Sequence, residues 1–165
     1  MRGTLAAIVV TGLGCLLQPA PASAQVTVDR VLERVADQVI TELDVRRVRL
    51  LALVPDATSD AAAQRGLENH LLMAAEVARF KPELPDDATV AALRRAWQER
   101  VAPGGDVASL LERAGSTEGE LAAWFRQELL IGRHLDRLFG RLQVAERDAA
   151  VADWIGNLRS RAGLR

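Results

Sequence analysis

The chain has 165 residues, with 21 basic residues against 22 acidic ones and a formal net charge of −1, so it lacks the global positive field on which nucleic-acid binding draws. It carries two histidines and a single cysteine, Cys15, which excludes an internal disulfide and leaves little nucleophilic or metal-ligating chemistry.

Residues 1–24 read as a secretory signal. Arg2 precedes an apolar run from Leu5 to Leu17, followed by Pro19 and the small-residue ending Ala22-Ser23-Ala24. The run is shorter than the roughly 20 residues that cross a bilayer. Gly12-Leu13-Gly14 ahead of Cys15 is a poor lipoprotein signal. The mature chain is therefore expected to start at Gln25, in the periplasm, without a thiol. Removing 24 residues from 165 leaves 141, enough for one domain with a modest core.

Val31, Glu33 and Val35 alternate with Leu32, Arg34 and Ala36, the period of a short strand, and Asp37-Gln38 supplies a turn to a second strand at Val39-Ile40. Thr41 is the expected N-cap of a first helix, with Asp44 completing a capping box and Val45, Val48 and Leu51 marking an apolar stripe to about Val54. Ser59 or Asp60 caps a second helix through Leu67, Leu71, Ala74, Ala75 and Ala78, ending before Pro82. Asp87 is expected to cap a third helix from Ala88 to Val101, and Asp106 a short fourth from Val107 to Ala114. The longest helix is expected from Thr117 to Gly140, and a last one from about Ala145 to Arg161. Residues 25–165 thus read as one mainly α domain of about six helices with a short N-terminal β-hairpin.

Catalytic signatures are sparse. His70 and His134 are the only bases that titrate near neutrality, and neither stands in a nucleophile or H-x-x-x-H motif. No catalytic residue, no metal ligand set and no cofactor is assigned. His70 is given a structural or solvent-facing role, and His134 is placed on the arginine side of its helix. Glu128 falls on the apolar side of the long helix, which asks for a partner. The expected outcome is an ion pair with an arginine of a neighbouring helix, or an edge position bent towards solvent, and Arg126 is named with Glu128 as the ion-pair candidate. Arg126, Arg133, Arg137 and Arg141 form a stripe that suits a solvated face, an anionic membrane surface or an acidic envelope partner.

The stretch "VDRVLERVADQVITELDVRRV" (28–48) resembles the start of the SurA-type periplasmic chaperones and of related exported parvulin-type prolyl isomerases. "ARFKPELPDDATVAALRRAW" (78–97) is similar to that family's helix, loop, acidic cap and helix, and "LAAWFRQELLIGRHL" (121–135) to its long helix. The resemblance implies a SurA N-domain-like fold and a chaperone-like module that binds unfolded or outer-membrane polypeptides by apolar contact, without ATP. Trp97, Trp124 and Trp154 sit at core-like positions, so core packing is the first reading for each and an exposed contact the second; Phe80, Leu84, Trp97 and Trp124 are the candidate peptide contacts. Only 23 residues follow Leu142, so the parvulin domain, and with it isomerase activity, is expected to be missing. The alternative is an envelope assembly subunit or a homodimer formed through the long helix, with the last helix either docked in place or exchanged between copies.

Overall fold

A computed structural model describes residues 29–164; the expected signal segment lies outside the described residues. The chain forms two strands and six helices in the order β1 (Val31–Val35), β2 (Gln38–Thr41), α1 (Glu42–Leu50), α2 (Asp60–Ala78), α3 (Asp87–Val101), α4 (Val107–Ala114), α5 (Glu118–Phe139) and α6 (Val144–Arg161). The mainly helical architecture with an N-terminal hairpin is as the periodicities indicate.

β1 and β2 pair antiparallel, with Val35 opposite Gln38, Glu33 opposite Ile40 and an irregularity between Val31 and Glu33. The turn is Ala36-Asp37, one residue earlier than expected, and Ala36 takes a left-handed φ of 51°. Val35 and Ile40 are buried against the helices, whereas Val31 and Val39 stay exposed. Thr41 passes the chain straight from strand to helix. Its hydroxyl accepts from the Asp44 N–H, and the Asp44 carboxylate accepts from the Thr41 N–H.

α1 stops at Leu50, short of the expected Val54. Ala52 adopts a left-handed φ of 45°, its N–H bonds the Arg49 carbonyl and the Leu53 N–H reaches back to Val48. This closing pattern satisfies the last carbonyls and turns the chain inward. Gly115, at φ 58°, closes α4 in the same way through Leu111 and Glu112. The cap of α3 is Asp86 rather than Asp87: its carboxylate takes both the N–H and the hydroxyl of Thr89, each at 2.8 Å. Asp87, the first helical residue, instead meets Arg126 of α5 at 3.2 Å.

Two apolar clusters form the core. One gathers Leu51, Val90, Trp97, Leu110, Leu111, Leu121 and Phe125 from α3, α4, α5 and the end of α1. The other gathers the hairpin's Val35 and Ile40 with Val45, Val48, Leu67, Leu72 and Leu158 from α1, α2 and α6. Trp124 and Leu53 pack against both clusters and join them. α2 approaches the loop after α1 so closely that a Cβ on Gly66 would lie 2.1 Å from Val54 Cγ1. α6 docks on α2 and α5 of its own chain.

Candidate functional site

β2, α1, α2 and α5 leave a groove between them. Its deeper part, about 270 Å³, has walls of Val39, Ile40, Val48, Leu71, Leu121 and Trp124 and a polar end at Asp44, Arg47, Ser116 and Glu120. A second hollow of about 190 Å³ shares Gln38, Leu71 and Gln127 with the first and continues past the hairpin turn over Ala74, Ala75 and Ala78. The alanines follow from the stripe of α2, where small residues at helical spacing leave a shallow floor. From Leu67 to Ala78 the floor runs about 16 Å, the span of about five extended residues.

One edge of β2 pairs with β1; its other edge is unpaired among the described residues, and Gln38, Val39 and Ile40 all line the groove. Such an edge presents backbone donors and acceptors to any strand laid beside it. The groove thus combines apolar walls with residues of a strand that has one unpaired edge among the described residues.

His70 holds the α5 wall in place. The residue is buried on α2, and its ring stacks on Trp124 with centroids 3.7 Å apart and planes 8° from parallel. Nδ1 lies 2.8 Å from a Glu128 oxygen, and Nε2 lies 2.9 Å from the end of the Gln127 amide, which carries both a donor and an acceptor. Three α5 residues, Trp124, Gln127 and Glu128, are therefore set by one imidazole. The expected pairing of Glu128 with Arg126 is corrected. Glu128 turns to α2 and Arg126 turns to α3, because the two side chains leave α5 in different directions.

At the polar end, Arg47 donates to Asp44 (3.2 Å) and to the Gly115 carbonyl (2.8 Å), while its buried Nε–H has no acceptor. The Glu120 carboxyl is held below the usual carboxylate range chiefly by the Thr117 N–H, with help from the Ser116 hydroxyl and the Arg47 charge, against a desolvation cost larger than either of these two.

The four candidate peptide contacts separate. Trp124 lines the groove. Trp97 is 1% exposed, with its indole N–H donating to the Leu51 carbonyl at 2.7 Å, so it is corrected to a core residue. Phe80 and Leu84 are 58% and 70% exposed but lie on the α2–α3 connection, away from the groove lining. Sequence reasoning missed Val39, Leu71, Gln127 and the α2 alanines. Val39, Leu71 and the alanines were visible as strand and helix periodicity, which does not show how far a face is covered, and Gln127 carried no signal.

His134 also departs from expectation. Instead of facing the arginine side it is buried, with its ring 5.2 Å from Phe80 and 5.7 Å from Trp154, and Nδ1 accepting from the Arg137 guanidinium at 2.7 Å. Burial, then the Arg137 charge, lowers its pKa below the ordinary imidazole value, against a smaller opposing effect of Glu76. Above about pH 6.5 both folded and unfolded forms hold a neutral imidazole, and this site contributes no pH dependence. Below that value the unfolded chain takes up the proton first, so stability falls as the pH is lowered. The urea midpoint is expected to drop between pH 7.5 and 5.5. His134→Gln should show a smaller drop, and equal drops in both proteins would remove His134 as the cause.

Among the described residues, no grouping of three or more His, Cys, Asp or Glu side chains is placed to hold a metal ion, and no helix is long and apolar enough to cross a membrane. Comparison with known proteins returns no matching family, no matching curated protein and no matching solved structure.

Proposed function

We propose that the chain is an exported, chaperone-like module that holds segments of unfolded or outer-membrane polypeptide in the groove between β2, α2 and α5, without ATP or a cofactor. The observation that carries this reading is the unpaired edge of β2 set against apolar walls. An extended segment laid there gains main-chain hydrogen bonds from the strand edge and buries apolar side chains against Leu71, Leu121 and Trp124. Backbone pairing is indifferent to sequence, which suits a holder of many clients. The shallow alanine floor limits the area buried per segment, so binding stays exchangeable. The likeness of residues 28–48, 78–97 and 121–135 to the SurA-type chaperones supports the same reading, which assigns no isomerase step to the chain.

The test uses the chain from Gln25 onward, which contains every described element, and follows light scattering as an unfolded outer-membrane protein is diluted from urea. Equimolar protein is expected to suppress aggregation. Ala75→Arg and Ala123→Arg, two exposed positions in the groove lining, should each weaken suppression about ten-fold by filling it, while leaving the helical circular dichroism unchanged. No suppression at several-fold excess would sink the proposal. Concentration-dependent sedimentation without client binding would favour the alternative of an assembly subunit.

A further inference from the structure

Arg133 and Arg137 on the C-terminal half of α5 and Arg141 in the turn just after it recur every four residues, and all three are exposed. This spacing puts Arg133 and Arg137 on one strip of the helix with a third like charge just beyond its end, an arrangement that repels unless something answers it. The other charged positions nearby on α5 are answered within the chain: Arg126 meets Asp87, and Asp136 meets Arg147. No carboxylate among the described residues pairs with the three arginines; Arg137 spends its guanidinium on His134 and on the face of Phe80, 5.8 Å from the ring centroid.

The α2–α3 connection runs beside this strip. Its Lys81 takes a left-handed φ of 45°, and Pro85 is buried, so the loop is pinned at both ends while its apolar side chains point outward. Pro82 and Glu83 share a hollow of about 210 Å³ with Leu130, Arg133 and Arg137, which places the loop against the arginine strip. On the same connection Phe80, whose ring meets Arg137, is 58% exposed and Leu84 70%, and Leu138, which follows Arg137 on α5, is 48% exposed. In that hollow Arg133 and Arg137 stand with a single carboxylate, Glu83. The chain as a whole is close to neutral, so the positive field is local to this face.

We propose that this face docks on an anionic lipid bilayer, with Phe80, Leu84 and Leu138 entering the headgroup layer and Lys81, Arg133, Arg137 and Arg141 meeting lipid phosphates. A bilayer fits better than a single anionic ligand because the arginines follow one another in a row, Arg133 and Arg137 about 6 Å apart along the helix and Arg141 in the turn beyond it, an array of charges and not a cradle. It fits better than a client peptide because the apolar side chains stand proud on a loop and a helix flank, whereas the groove is concave. Exposed apolar groups beside a row of cations match the interface, where acyl chains lie just beneath anionic headgroups. The face is separate from the groove, so membrane docking and client holding fail independently.

The experiment is sedimentation of the chain from Gln25 onward with phosphatidylcholine vesicles, with or without phosphatidylglycerol; omitting the first 24 residues keeps the apolar run at Leu5–Leu17 from inserting by itself. Binding is expected with the mixed vesicles, at least about ten-fold stronger than with neutral ones, and it should weaken as salt is raised. Arg133→Glu with Arg141→Glu, and separately Leu84→Ser, should lower binding about ten-fold or more while suppression of client aggregation is unchanged. Equal binding to neutral vesicles, no binding at all, or variants that bind like the parent would overturn the proposal. So would retention by polyglutamate with none by vesicles, which would assign the face to an acidic protein.

Discussion

Trp97→Ala is expected to be the most damaging single truncation in the first core cluster, lowering the unfolding free energy by about 4 kcal/mol. The side chain is almost fully enclosed, packs 6.0 Å from the Phe125 ring at 60°, and donates its indole N–H to the Leu51 carbonyl. Truncation opens a cavity among Leu51, Val90 and Phe125, and it also strips the Leu51 carbonyl of a partner just where α1 closes. Trp97→Phe keeps most of the apolar contact and loses chiefly that hydrogen bond, so a cost of about 2 kcal/mol is expected. Urea unfolding followed by far-UV circular dichroism separates the two. If both variants lost the same amount, the hydrogen bond and not the packing would carry the stability. A domain of this size holds only about 5–15 kcal/mol in total, so Trp97→Ala should also broaden or abolish the folded baseline at raised temperature.

Trp97 also marks the limit of what sequence alone conveys. Its place on an apolar stripe was legible and made burial the first reading, with an exposed contact kept as the second. Only the return of α4 and α5 over α3 decides between them. Local signals were sharper: Thr41 with Asp44, Asp106, and Thr117 all appear where a short polar side chain precedes a helical stripe, and each caps its helix. The end of α1 was not legible, because Ala52 adopts a left-handed conformation that alanine rarely takes and tertiary packing imposes.

The groove was illegible for a related reason. Leu67 and Leu71 sit on the same periodic stripe of α2, but Leu67 enters the second cluster while Leu71 remains partly open beside β2. The period names the face and not how far it is covered. Likewise a helical wheel spreads Arg126, Arg133, Arg137 and Arg141 along one side. The structure splits that stripe into Arg126, answered by Asp87, and three arginines that meet no carboxylate.

The second large effect is expected where α6 is fastened to α2. Glu68 is buried, and its two oxygens accept from Gln64 Nε2 at 2.9 Å and Arg159 Nη1 at 2.9 Å; the same Arg159 nitrogen reaches Asn69 Oδ1 at 3.0 Å. Removing the cation leaves a carboxylate in a nearly closed site, so Arg159→Met should cost about 3 kcal/mol, most of it the unanswered charge. Glu68→Leu combined with Arg159→Met removes both charges, and it should recover more than half of that loss. The readout that distinguishes this lock from general destabilisation is local. Arg159 neighbours Leu158, which belongs to the second core cluster, and Trp154 lies one turn earlier against His134. In the single variant α6 should therefore detach before the rest unfolds, giving early proteolytic cleavage near residues 144–161 while the Trp97 cluster stays protected. Cleavage spread evenly along the chain, or a double variant no more stable than the single one, would show that Glu68 and Arg159 are not the lock. Freed α6 would also take Trp154 away from the ring stack that supports Phe80. The same variant is thus expected to loosen the basic face directly, and the β2 groove only through the loss of Leu158 from the cluster behind Ile40, Val48 and Leu67.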